Sequence, residues 1–206
     1  MSTPMQGYSD RINHALAFSA KHHAPRAPSD GGMPFVAHPA NVAIILARHG
    51  ADETTLVAGI LHHVLEVCEA EAREELARKI GEKFGSVVLG VARDAVEPSL
   101  DTRGDRLAWT QRKRLLLAAL ATMEPRALDI RCADEIHQCG TAIALVERLG
   151  VEYLPPQGFA PAALMLTWYG DLDDALARRD DWPGRALRHE LGALRQRLAA
   201  AAAGDR

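Results

Sequence analysis

The stretch Ala58-Gly59-Ile60-Leu61-His62-His63-Val64-Leu65-Glu66-Val67 decides how this chain is read. Two adjacent imidazoles and a carboxylate interrupt an apolar run of helical character. Burying a polar group without a partner costs on the order of several kcal/mol, so each of these must find one. Neutral imidazole is the commonest side-chain metal ligand, which makes a metal ion the first candidate. Glu66 follows His62 by four residues and His63 by three, so one broad helix face carries all three.

Outward from this stretch the chain reads as helix almost throughout. It has 206 residues, enough for one domain with a real core. Hydrophobic residues make up 48% and charged residues 25%, the balance of an ordinary globular protein. Alanine, leucine, arginine and glutamate dominate, and β-branched and aromatic residues are sparse, which favours helix. A net charge of -3 supplies no basic footprint for a nucleic-acid duplex. No stretch approaches the length of a membrane span, and the first residues do not read as a secretion signal. Cys68, Cys132 and Cys139 form no CxxC and no even framework, so they read as reduced thiols of a cytoplasmic protein.

Helical periodicity predicts elements from about Ser9 to His22, with Ile12, Ala15, Leu16 and Ala20 on one face, and from about Pro39 to His49. The stretch from His22 to Pro34 breaks the pattern with prolines and glycines. Asp52 is a good N-cap for a helix reaching about Cys68, and Gly50 suits the stop before it. The charged run before Gly85 reads as an exposed helix, followed by a short one from Val87 to Ala95 and a polar, mobile loop from Glu97 to Asp105. Further helices are expected from about Leu107 to Met123, Pro125 to Cys139, Thr141 to Leu149, Ala160 to Arg179 and Pro183 to Ala200, with the alanines Ala199 to Ala203 fraying. The architecture is therefore expected to be all-α, a single domain over residues 1–206.

Polar groups that apolar packing does not explain recur elsewhere. His38 precedes Pro39, so it is expected extended at the start of a helix rather than inside it. Asp134 has His137 three residues on and Gln138 four, pointing together from one helix. Imidazoles and carboxylates from separate helices are how a bundle builds a metal site, and mixed nitrogen and oxygen donors suit manganese, iron or zinc. A metal-dependent hydrolase is the bottom-up hypothesis. By contrast His137 reads as a helix-face residue without a role, Arg112 and Lys113 as a solvated face, Trp168, Tyr169 and Trp182 as core, and His14 as surface.

His38, His62 and Asp134, in this order in an all-α chain, resemble the HD-domain metal phosphohydrolases, and in particular the small alarmone hydrolases of the RelA/SpoT group. The resemblance rests on Ala15-Leu16-Ala17-Phe18 with His22, on Gly32-Met33-Pro34-Phe35-Val36-Ala37-His38-Pro39 with Val42-Ala43, on the central stretch, on Trp109-Thr110-Gln111-Arg112-Lys113, and on Cys132-Ala133-Asp134-Glu135-Ile136-His137-Gln138. It covers about Tyr8 to Arg179, an HD core of about 8–180 with a C-terminal helix of about 183–203 appended. It implies an HD-domain helical bundle that removes the 3′-pyrophosphate of (p)ppGpp, the stringent-response nucleotide, or acts on a related small nucleotide. It also implies one divalent ion, manganese in most relatives, on His38, His62, His63 and Asp134, with Glu66 catalytic and Arg26 and Gln138 at the substrate.

The departures from the family pattern fall at that site. His63 stands where the family has the HD aspartate, Val67 where it has a second acidic residue, Gln138 where it has asparagine, and Glu135 where it has lysine. Ala27 and Pro28 replace a basic pair, leaving Arg26 as the nearby cation. An imidazole at 63 removes a negative charge and moves the expected preference towards zinc or iron. Val67 cannot transfer a proton, help worth roughly 100- to 10,000-fold in rate. Two functions therefore compete: a metal-dependent phosphohydrolase, and an inactive pseudoenzyme acting as a nucleotide-binding or regulatory module. The sequence leaves the oligomeric state open.

Overall fold

The computed structural model describes residues 7–23, 36–101, 103–155 and 159–204. Among them run nine α-helices: α1 (Asp10–His23), α2 (Ala37–Arg48), α3 (Glu53–Val67), α4 (Ala70–Phe84), α5 (Ser86–Asp94), α6 (Trp109–Leu120), α7 (Pro125–Leu149), α8 (Ala162–Ala177) and α9 (Arg185–Ala203). A single 3-10 turn, Val151–Tyr153, follows α7. The all-α expectation holds among these residues, and the only β pairing there is an isolated antiparallel bridge between Leu100 and Arg106. No helix among them is long and apolar enough to cross a membrane.

α3 is the element around which the others are arranged. Its start is set by Asp52, whose carboxylate accepts from the Thr55 N–H at 2.8 Å. Just before it, Gly50 ends α2 in a left-handed conformation (φ 76°). There its N–H reaches Ala47 O and that of Ala51 reaches Leu46 O, a Schellman stop. From Leu56 to Leu65 nearly every α3 side chain is buried, and the helix packs on α1, α2, α4, α5 and α7. A helix apolar on all sides belongs in the centre of a protein. Gly59 permits the close approach of α2: a Cβ there would lie 2.7 Å from Leu46 Cδ1.

α7 crosses α2, α3 and α5 and carries α9 along its length. The sequence reading divided it at Gly140, but it runs unbroken from Pro125 to Leu149. A mid-helix glycine costs about 1 kcal/mol. Burial of Ile136, Cys139, Ile143 and Val146 on both sides of it outweighs that, at roughly 1.5–3 kcal/mol for each large aliphatic side chain. The alanines expected to fray are helical to Ala203, because Leu198 is fully buried, Ala201 and Ala202 pack on the core, and Gly204 caps the end in a left-handed conformation. α4 was expected to be exposed, yet it buries Leu76, Ala77, Ile80 and Phe84 on one face.

His38 is also placed differently from the expectation. It lies inside the first turn of α2, because Ala40 N–H already bonds to Val36 O. Pro39 sits where a helix has no use for an N–H, so a first-turn proline costs no hydrogen bond. All three cysteines are free thiols, with Cys132 and Cys139 buried.

Candidate metal centre

His38, His62 and Asp134 arrive from the start of α2 and from within α3 and α7, and one donor atom from each lies within 4.8 Å of the others. His62 is fully buried, and its Nδ1 donates to Gly59 O at 2.6 Å. A carbonyl only accepts, so the hydrogen is on Nδ1 and the Nε2 lone pair is left over. That Nε2 is buried with no hydrogen-bond partner among the described residues. His38 Nε2 stands 2.8 Å from Asp134 Oδ1 but outside hydrogen-bond geometry, and it too is buried without such a partner. An orphaned His62 nitrogen, beside a second imidazole held against a carboxylate, is hard to explain by packing, because native proteins satisfy buried polar atoms. A divalent ion with nitrogen and oxygen ligands fits this donor set.

The electrostatics agree. Burial holds His62 neutral by lowering its pKa from 6.5 to about 4, with Arg131 and His38 adding to the shift. Burial alone would raise Asp134, but the charges of Arg131 and His38 outweigh it and keep the carboxylate well below its usual range. Asp134 Oδ2 is engaged on its other side by Arg131 Nη2 and Gln138 Nε2, both at 2.9 Å. That leaves Oδ1 towards the imidazoles.

His63 stands beside this group rather than in it. Its ring centroid is 4.4 Å from that of His38 and 6.1 Å from that of His62, and its donor atoms fall outside the 4.8 Å cluster. Burial pushes its pKa well down. Its Nδ1 lies 3.2 Å from Nε2 of His23. His23, not the His22 singled out in the sequence, is the buried imidazole of α1. The signal was available: Ala15, Phe18, Ser19 and His23 form one helical stripe. His137 is likewise nearer the site than expected, 4.8 Å from His38 between ring centroids, and burial lowers its pKa to about 4. Arg26 lies outside the described residues.

A cleft of about 820 Å³ opens beside the cluster, lined among others by His38, His63, Glu66, His137, Gln138 and Trp168. Its floor is a lattice of ion pairs that the sequence did not announce. Arg131, 1% exposed, reaches Asp134 and also Glu66 Oε2 at 3.1 Å. Lys113 is buried between Glu97 and Glu135, 2.7 Å from each, with its ammonium 4.7 Å from the Trp168 ring centre. Arg112 pairs with Glu97 at 3.2 Å, and Trp168 Nε1 donates to Glu135 at 2.9 Å. The solvated face expected for Arg112 and Lys113 is therefore incorrect: buried carboxylates of α7 and the loop after α5 draw both inward. Burial would lower the Lys113 pKa, but Glu135 and Glu97 raise it, so the ammonium stays charged. Glu66 Oε2 accepts from Glu97 N–H as well, at 2.9 Å.

Helices that aim two imidazoles and a carboxylate at one buried point define the class: an all-α domain with a candidate centre for one divalent ion. The chain belongs to the HD domain family, whose profile matches residues 15–148. Among curated proteins it is 31% identical over 147 residues to a probable GTP pyrophosphokinase of Mycobacterium leprae, covering 71% of this chain and 16% of that protein. It is 28% identical over 134 residues to a guanosine-3′,5′-bis(diphosphate) 3′-pyrophosphohydrolase of Aquifex aeolicus, covering 65% and 18% respectively. The chain thus spans about a fifth of the length of these relatives. Among solved structures, a metazoan ortholog of SpoT described as hydrolysing ppGpp superposes with a TM-score of 0.68 at 24% identity, covering 94% of this chain and 98% of that one. A Listeria monocytogenes EGD-e protein gives 0.60 at 20% identity, covering 77% and 96%.

Proposed function

We propose that this chain is a metal-dependent phosphohydrolase of the guanosine-alarmone type, cleaving the 3′-pyrophosphate of (p)ppGpp or the phosphate of a related nucleotide. The orphaned Nε2 of His62, beside His38 Nε2 and Asp134 Oδ1, is the observation that carries this reading. His38, His62 and Asp134 would hold the ion, with His63 as an adjacent fourth donor. Manganese is the first metal to try by family, and zinc or iron follow from the extra imidazole. When bound, the ion supplies a Lewis acid that lowers the pKa of water and draws charge from a phosphoryl oxygen.

The protein's own groups do the rest. Arg131 and Gln138 hold Asp134 Oδ2, which fixes the carboxylate. Glu66 Oε2 is occupied by Arg131 and the Glu97 N–H, which leaves Oε1 as the oxygen able to take a proton at the cleft. Gln138 lines the same cleft and would meet the nucleotide, with Arg26 as the proposed cation for its phosphates. A nucleotide is the partner proposed, and the three free thiols support a cytoplasmic location.

One observation favours the second reading, a pseudoenzyme that binds nucleotide without turnover. Glu66 is tied to Arg131, and Val67 supplies no second acid. Pyrophosphate release from ppGpp, followed with manganese, zinc and ferrous iron in turn, decides between them. Turnover that disappears in Glu66→Gln supports the enzyme. Nucleotide binding with no turnover under any metal supports the pseudoenzyme, and gain of activity in His63→Asp/Val67→Asp would show that only the chemistry had been lost.

A further inference from the structure

His23 is buried, sits against the site, and has no part in the reading above. We infer that His23 is a positioning residue: it fixes which nitrogen of His63 carries the hydrogen. The chain of contacts has one direction. His23 Nδ1 lies 2.8 Å from Ser19 O, one turn earlier in α1, and 3.1 Å from Ser19 Oγ. The carbonyl can only accept, so His23 Nδ1 carries hydrogen, and Nε2 of the neutral ring is its acceptor. That Nε2 is 3.2 Å from His63 Nδ1. The hydrogen between the two rings therefore belongs to His63. His63 is held as the Nδ1–H tautomer, and Nε2 is the lone-pair nitrogen of a ring that lines the cleft.

His62 reaches the same tautomer by a different device, its own Nδ1–H on Gly59 O. An imidazole whose far nitrogen is anchored by a hydrogen bond is the arrangement that orients metal-ligating histidines. Two neighbouring rings are thus set to the same polarity, one by the backbone of α3 and the other by a relay through α1. The consequence for His63 is chemical. It offers a lone pair, suited to a cation or to the hydrogen of a water or hydroxyl, and not an N–H suited to a phosphate oxygen. The tautomer stands on hydrogen bonding alone, and only the cation role rests on the metal-centre reading.

The test is long-range proton–nitrogen correlation NMR of the metal-free, nitrogen-15-labelled full chain at neutral pH. Wild type should show His63 with a protonated Nδ1 and a bare Nε2. His23→Gln should keep that pattern, because its side-chain carbonyl can take the place of the acceptor. His23→Phe should lose it, with His63 moving to a mixture or to the other tautomer. Zinc titration calorimetry should then show His23→Phe binding about 10- to 100-fold more weakly, with His23→Gln close to wild type. A protonated Nε2 on His63 in wild type overturns the inference, as does an unchanged tautomer in His23→Phe. Should His23→Phe not fold, the wild-type and His23→Gln spectra decide. A wild type that binds no zinc counts against the metal centre, while the spectra still judge His23.

Discussion

Two polar regions meet at the cleft, and they are built on opposite principles. On the α2 and α3 side, His38 and His62 present buried nitrogens that lack hydrogen-bond partners among the described residues. Around Lys113 and Arg131, by contrast, Arg112, Lys113, Arg131, Glu66, Glu97 and Glu135 are each matched to an opposite charge, although Glu97 Oε1 and Arg131 Nε also lack a hydrogen bond there. A lattice of paired charges explains itself as structure. His62 Nε2, at the same depth with neither a hydrogen bond nor an ion pair among the described residues, points to something the protein binds. Asp134 belongs to both, with Oδ2 in the lattice and Oδ1 towards the imidazoles. Chemistry is expected where that charge pairing runs out.

Breaking each region should therefore give a different failure. The largest expected effect is on metal binding: His62→Ala should weaken zinc or manganese affinity by more than roughly a hundredfold, beyond the loss typical of an outer contact. Its thermal stability without metal should fall far less than in lattice variants, and calorimetry beside melting curves checks both. Lys113→Met should do the reverse. It leaves Glu97 and Glu135 buried without their shared cation, a loss of about 3–5 kcal/mol in denaturant unfolding. Metal affinity per folded molecule should change little.

A smaller effect sharpens the same contrast through pH. His62 and His137 have pKa values lowered from 6.5 to about 4 by burial, so the folded protein resists protonating them. Above pH 6.5 neither state binds the proton, and stability is unaffected. As pH falls from 6.5 towards 4 the unfolded chain takes up protons first, and stability should drop by on the order of 2–3 kcal/mol per ring. Below 4 the loss levels off. Urea unfolding across this range checks it, and a flat profile would mean that these rings are not desolvated. The mildest change expected is Gly59→Ala, which pushes α3 against Leu46 and should cost about 1–3 kcal/mol in denaturant unfolding by overpacking.

Much of this was legible in the sequence, for identifiable reasons. Asp52 and Gly50 bracket the turn into α3 because capping is local chemistry. His38, His62 and Asp134 were recognisable together only through a family pattern, since the spacing between them carries no physical constraint. The lattice was not legible, because Arg112 and Lys113 stand in a run as charged as any exposed helix and only the partner carboxylates draw them in. Arg131 carries a local signal for part of it. Ile130, Cys132, Ala133 and Ile136 surround it with apolar neighbours, so a charge there had to be buried and paired. Gly140 misled because glycine punctuates an isolated helix more strongly than one packed along its length.

The proposed function depends on the cluster of His38, His62 and Asp134 being a metal centre. Calorimetric titration of metal-free protein with zinc and with manganese, on wild type and on His62→Ala, addresses that most directly. One ion bound per wild-type chain, with binding abolished in the variant, is the predicted result. Wild-type protein that takes up neither ion, or a variant that binds as wild type does, would contradict it.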